Sequence, residues 1–297
     1  MRKILVLGLI VLFVGSLALA ADSSSSSNLP KYILLNREDI KFGRMADHDA
    51  LMHQMIQTIN TTNADFHFVS ATSVTGSQSD FVGIGMFNSY ADIEKGMETL
   101  RQAVKANLQN ADFVRESQES HVGGRVTIAK LQADLCHGAD KLNLGSGRYW
   151  DVTTIEVKPG AEDDFEQLAK EYVDLHEKNK IDVSWAVYQV QYGGAGTTYV
   201  YITPLRSLAD LDVDRSAAYK AAFTPGVSNR FNTAFRQQVA EVKSMLLAMR
   251  PDISRPEQSI VAANPEFWTV KEAVATPTPA TKSKGKKKTL VEPAALK

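Results

Sequence analysis

The chain has 297 residues, 44% apolar and 23% charged, with a formal net charge of -1 and one cysteine. A single thiol excludes a disulfide framework, so stability rests on an ordinary hydrophobic core. Of 33 basic and 34 acidic residues, residues 1–20 hold two basic ones and residues 275–297 hold six basic and one acidic, which leaves 25 and 33 in an acidic body without the basic face of a nucleic-acid-binding fold.

Residues 1–20 read as a cleavable signal peptide. Arg2 and Lys3 precede an apolar run from Ile4, and Ala18-Leu19-Ala20 offers a small-x-small cleavage site before Ala21. An uncleaved membrane anchor is the alternative. Cleavage implies a periplasmic or secreted protein with no stable membrane insertion. Residues 21–30, with their serine run, form a flexible spacer.

Residues 31–138 form a first unit. A strand over 31–40 ends at Lys41-Phe42-Gly43, and the next helix sets His48, Leu51, Met52, Met55, Ile56 and Ile59 on one stripe. Phe66 and Phe68 alternate with His67 and Val69 in a second strand. A turn at Gly76 leads to a third strand over 81–87. A long helix from Ala91 carries Ile93, Met97, Leu100, Val104 and Leu108, and a fourth strand covers 125–131. The order is βαββαβ.

After a linker over 139–147, residues 148–256 repeat that order. A strand ends at Lys158-Pro159-Gly160, and its helix aligns Phe165, Leu168, Ala169, Tyr172, Val173 and His176. An offset of 117 residues superposes Gly43 on Gly160 and His48 on Phe165. Strands over 183–191 and 198–202 flank the turn Gly193-Gly194-Ala195-Gly196. Thr224-Pro225-Gly226 breaks the second helix, a stripe of Phe231, Phe235, Val239 and Val242 resumes, and a last strand covers 245–250. Period, order and anchors agree, so this is an internal repeat. Residues 257–274 extend the second unit, and residues 275–297 form a Lys-rich tail of disordered composition.

The fold class is therefore α+β: two tandem ferredoxin-like βαββαβ units. Apolar residues on both faces of the strands require a second layer beyond the helices, which sheet-to-sheet packing within one chain provides.

The tandem arrangement, the two Lys-x-Gly joints, the Trp185-Ala186-Val187-Tyr188-Gln189-Val190 strand and the closing Asn264-Pro265-Glu266-Phe267-Trp268 resemble the dimeric α/β-barrel superfamily. Within it the chain is similar to duplicated, exported bacterial proteins related to NIPSNAP and antibiotic-biosynthesis-monooxygenase domains. The resemblance covers roughly residues 31–270 and implies an intramolecular barrel. Its relatives include oxygenases, haem-degrading enzymes and isomerases, and it supplies no catalytic residue set.

No motif identifies a reaction, and no His/Cys spacing marks a metal site; Cys136-His137 has no CxxC or HExxH companion. His48 reads as a core histidine. His67 points either into the inter-sheet cavity or under the helices. Trp185, Tyr188 and Tyr201 are either core or the lining of a pocket for a flat apolar ligand. Arg37 is a cation suited to hold a carboxylate, unless it marks an exposed edge strand. Two functions follow. One is an exported, non-catalytic module without a cofactor that binds a small apolar ligand or a protein partner, as a monomer or homodimer. The other is a barrel-type oxygenase or haem-handling enzyme using His67 or His48.

Overall fold

The computed structural model describes residues 29–77 and 79–269. The expected signal peptide, most of the spacer, residues 270–274 of the extension and the Lys-rich tail lie outside the described residues. Among the described residues, no helix is long and apolar enough to cross a membrane.

The first unit comprises β1 (Tyr32–Ile40), α1 (Met45–Thr61), β2 (Val69–Ser73), β3 (Asp80–Phe87), α2 (Tyr90–Ala103), α3 (Lys105–Gln109), α4 (Ala111–Ser120) and β4 (His121–Leu131). The second comprises β5 (Tyr149–Val157), α5 (Glu162–Lys178), β6 (Ala186–Tyr192), β7 (Thr198–Leu205), α6 (Ser216–Ala222), α7 (Pro225–Gln238) and β8 (Val239–Met249). The short helices α8 (Gln258–Ala263) and α9 (Pro265–Trp268) follow. Local chemistry sets the boundaries. The Ser89 hydroxyl accepts from the Asp92 amide and starts α2, and Pro225 opens α7 where its missing N–H leaves no bond unmade.

All eight strands close into one antiparallel barrel in the order β1-β3-β2-β8-β5-β7-β6-β4. Each unit supplies four consecutive strands, and the seams are β2 with β8 and β4 with β6. The two ferredoxin-like units therefore form one intramolecular dimeric α/β barrel. Their sheets face each other across the lumen and also hydrogen-bond at their edges, over Ile128–Leu131 of β4 and Leu247–Met249 of β8. The duplication extends to the backbone: the positive-φ residues Gly43, Asn63 and Gly76 recur as Gly160, Lys180 and Gly193.

Several boundaries differ from the sequence reading. The second strand begins at Val69, while Phe68 forms an isolated bridge with Arg255 and Phe66 packs with the cluster around Ile59 and Ile253. Alternating aromatics there serve a loop that tucks into the core rather than a ladder. Val239 and Val242 belong to β8, not to a helical stripe, because β4 and β8 are 11 residues long and rise above their neighbours. The strand β1 pairs on both sides, so Arg37 is not on an edge.

The segment between the units is built into the core. All three tryptophan indoles donate to its carbonyls: Trp185 to Leu135, Trp150 to Leu144 and Trp268 to Gly145. Ile260 of α8 lies so close to Gly145 that an added Cβ would stand 2.7 Å from the Ile260 carbonyl oxygen and 2.8 Å from its Cα. Gly145→Ala is expected to push the extension outward and lower the melting temperature by several degrees, as differential scanning calorimetry would measure.

Candidate functional site

Inward-facing residues of β1 and of β3 to β8 enclose a cavity of about 520 Å³. Its depth is apolar, with Leu35, Val82, Ile84, Val152, Val200 and Leu247. Its mouth is charged, with Arg37 and Asp39 from β1, Arg125 from β4, Glu156 from β5, and Glu241 and Lys243 from β8. The parity that turns apolar residues inward deep in the barrel turns these charges inward where the strands reach solvent.

The charges differ in their engagement. The Arg37 guanidinium donates to Asp80 at 2.7 Å and lies 3.6 Å from Asp39, so it is already neutralised. Lys243 pairs with Glu241 at 2.7 Å. Arg125, directly opposite Arg37 across the β1–β4 ladder, has no ion pair among the described residues, and neither has Glu156. The mouth therefore offers one guanidinium and one carboxylate to an incoming group.

The expected pocket residues divide between the two sides of the wall. Tyr188 pairs with the inward Val200 and is fully buried, its hydroxyl donating to the Pro30 carbonyl. Tyr201 faces the other way, opposite Val187, and is directed to the helix side. Trp185 also lies outside the barrel, stacked 4.9 Å from His137 and edge-on to His176 at 4.9 Å. Strand parity separates them: a shift of one residue reverses the face. Trp185 and Tyr201 are thus core beneath the helices, not lumen lining. His67 stands at the lower end of the barrel beside Ile260 and a void of about 10 Å³, with its Nε2 3.2 Å from Asp65. It lies neither in the main cavity nor under the helices.

His48 is buried on α1, its ring 4.4 Å from Phe81 and its Nε2 3.0 Å from Glu38 Oε2. The same oxygen lies 2.8 Å from His121 Nε2, so three potential ligand atoms stand within 4.8 Å of one another. Burial pushes the Glu38 carboxyl up, but hydrogen bonds from His121 and His48 and their charge outweigh it and hold it at about 2. The hydrogen bond to Glu38 raises His121 against a smaller opposing effect of burial. This trio sits on the helix side of β1, opposite the lumen face that carries Arg37 and Asp39. Sequence reasoning missed Glu38 and His121, because His121 lies far along the chain from His48 and reaches it only through the β1–β4 ladder. It also missed Arg125. The repeat offset held the one available signal, since it also aligns Glu38 with an apolar residue, Ile155.

Cys136 is 6% exposed, and burial pushes its thiol up to about 11. It is expected to resist alkylation in the folded protein and to react at once in denaturant; thiol titration with a chromogenic disulfide checks this.

No protein-family model and no curated protein matches the chain. Solved structures do share the chain's course. An anthrone oxidase-like protein matches 75% of this chain and 93% of its own at 12% identity, with a TM-score of 0.47. A chlorite dismutase mutant from Candidatus Nitrospira defluvii matches 81% and 97% at 9% identity, with a TM-score of 0.45. A haem-binding protein from Thermus thermophilus matches 76% and 94% at 9% identity, with a TM-score of 0.43. These descriptions belong to the matched proteins, and at such scores the likeness adds nothing to the topology above.

Proposed function

We propose that the protein binds a small amphiphilic molecule in the barrel lumen, with its apolar body in the depth and an acidic head at the mouth. The observation that carries this reading is the cavity itself, apolar below and ringed by charge above, with Arg125 left free of an ion pair among the described residues. Its volume of about 520 Å³ suits a small ligand. A free guanidinium favours a carboxylate through charge-assisted, bidentate hydrogen bonding. Glu156 favours a hydrogen-bond donor, such as a hydroxyl, beside that acid.

A medium-chain fatty acid and the matching alcohol test the reading by calorimetric titration. Arg125→Ala is expected to weaken the acid about tenfold, equivalent to about 1.4 kcal/mol, and to leave the alcohol unchanged. Val200→Trp fills the lumen and is expected to abolish both. Binding of neither ligand, or equal binding of the acid with and without Arg125, sinks the proposal.

Barrel-type oxygenase chemistry would use the same cavity, and it predicts a modified ligand after incubation in air, whereas the binding reading predicts recovery of the ligand unchanged. A haem held through His48 or His67 needs more than this arrangement provides. His48 lies on the helix side of β1, His67 borders a void of about 10 Å³, and no histidine lines the lumen among the described residues.

A further inference from the structure

The two units differ most at one place on the helix side of the wall. Glu38, His48 and His121 in the first unit correspond to Ile155, Phe165 and Val239 in the second. The last equivalence follows from the ladders: Ile40 pairs with His121 and Val157 with Val239, each just past a β-bulge. Phe165 is 2% exposed and Ile155 8%, so the fold closes this corner with an apolar trio. Two imidazoles and a carboxylate are therefore not needed for packing, and burying them is unfavourable unless their charges and hydrogen bonds are satisfied.

Their hydrogen bonds require a positive centre between them. The Nδ1 of His121 lies 2.6 Å from the Ser117 carbonyl oxygen, which only accepts, so Nδ1 carries a proton. The Nε2 of the neutral ring is then a lone pair, and it faces Glu38 Oε2 at 2.8 Å. A second proton or a metal cation must lie between two such acceptors. His48 supplies the independent observation. It is 1% exposed, and its Nδ1 has no hydrogen-bond partner; Asp49 Oδ1, 3.7 Å away, is also without one. With Nε2 on a metal, the Nδ1–H turns to Asp49 and gives the carboxylate–histidine–metal arrangement.

We propose that Glu38, His48 and His121 bind one borderline divalent transition-metal ion, of the zinc or iron(II) type, in the first unit alone. Two imidazole nitrogens and one carboxylate oxygen select this class over calcium or magnesium, which take oxygen donors. Glu38 Oε2 stands 2.8 Å and 3.0 Å from the two imidazole nitrogens, against roughly 3.3 Å between ligand atoms around a tetrahedral zinc, and all three atoms lie within 4.8 Å of one another, so the side chains must adjust to admit the ion. The side chains of Glu38 and His121 are 22% and 25% exposed, which gives the ion a path from solvent and leaves coordination positions open.

Cobalt(II) is the probe, added to the tag-free chain and measured by equilibrium dialysis with visible spectroscopy. The expected result is one cobalt per chain, with the d–d bands of a four- or five-coordinate ion. The triple variant Glu38→Ile, His48→Phe, His121→Val copies the second unit and is expected to bind none. Should that variant fail to fold, His121→Val alone, at a partly exposed position, is expected to weaken binding at least tenfold. Zinc should raise the melting temperature of the wild type and not that of the variants. No cobalt bound by the wild type, which would leave a proton-bridged cluster, or equal binding by wild type and variants, overturns the proposal.

Discussion

A chain ending at Gly138 is expected not to exist as a folded monomer. Its sheet has two edges, β2 and β4, and each loses its partner. The first loses the pairs Ala71–Met249, Thr72–Ala248 and Ser73–Leu247. The second loses Ala129–Val190, Lys130–Gln189 and Leu131–Tyr188. Unpaired edges of this kind recruit other strands. The lumen face opens as well, so Ile33, Val69, Val82, Ile84 and Ala129, all buried in the whole chain, meet water. At about 1.5–3 kcal/mol for each Ile or Val side chain, that exposure is comparable to the 5–15 kcal/mol by which a domain is ordinarily stable. Two such halves can close a barrel on each other through the same seams, so a homodimer or an insoluble product is expected. Size-exclusion chromatography with light scattering reads the result. A cooperative, monomeric half would show that the seams are dispensable.

Truncation before Glu257 is expected to have the second-largest effect, lowering the melting temperature by roughly 10 °C or more. Trp268 is 4% exposed and Ile260 7%, and both pack in the same cluster as Trp150, Leu144 and Tyr188. Removal exposes that end of the core and leaves the Gly145 carbonyl without the Trp268 indole. Trp268→Ala alone is expected to destabilise by about 3–5 kcal/mol, the usual range for a buried large aromatic. Calorimetry on both variants separates the anchoring residue from the rest of the extension. An unchanged melting temperature would mean that the extension rests on the barrel without closing it.

The repeat was legible in the sequence because its causes are local. A strand that ends in Lys-x-Gly needs a left-handed residue before its helix, and Gly43 and Gly160 both hold φ near +80°. Helical stripes such as Phe165, Leu168, Val173 and His176 follow from periodicity, and all four are buried. Apolar residues on both strand faces announced a second sheet. The sequence by itself thus determined two βαββαβ units that cover each other.

What only the tertiary structure decided is which side chains meet. Side-chain direction alternates with every strand residue, so a shift of one position moves an aromatic from lumen to helix side; this is how Trp185 and Tyr201 parted from Tyr188. Arg125 reaches the mouth because β4 pairs with β1 in the register that sets it opposite Arg37, and that register joins strands far apart in the chain. Glu38, His48 and His121 come from two strands and a helix, and converge only once β1 and β4 are in register. Periodicity reports on neighbours one turn or one pleat away. A site assembled from three elements depends on ladder register, and pairing between strands far apart in the chain sets that register.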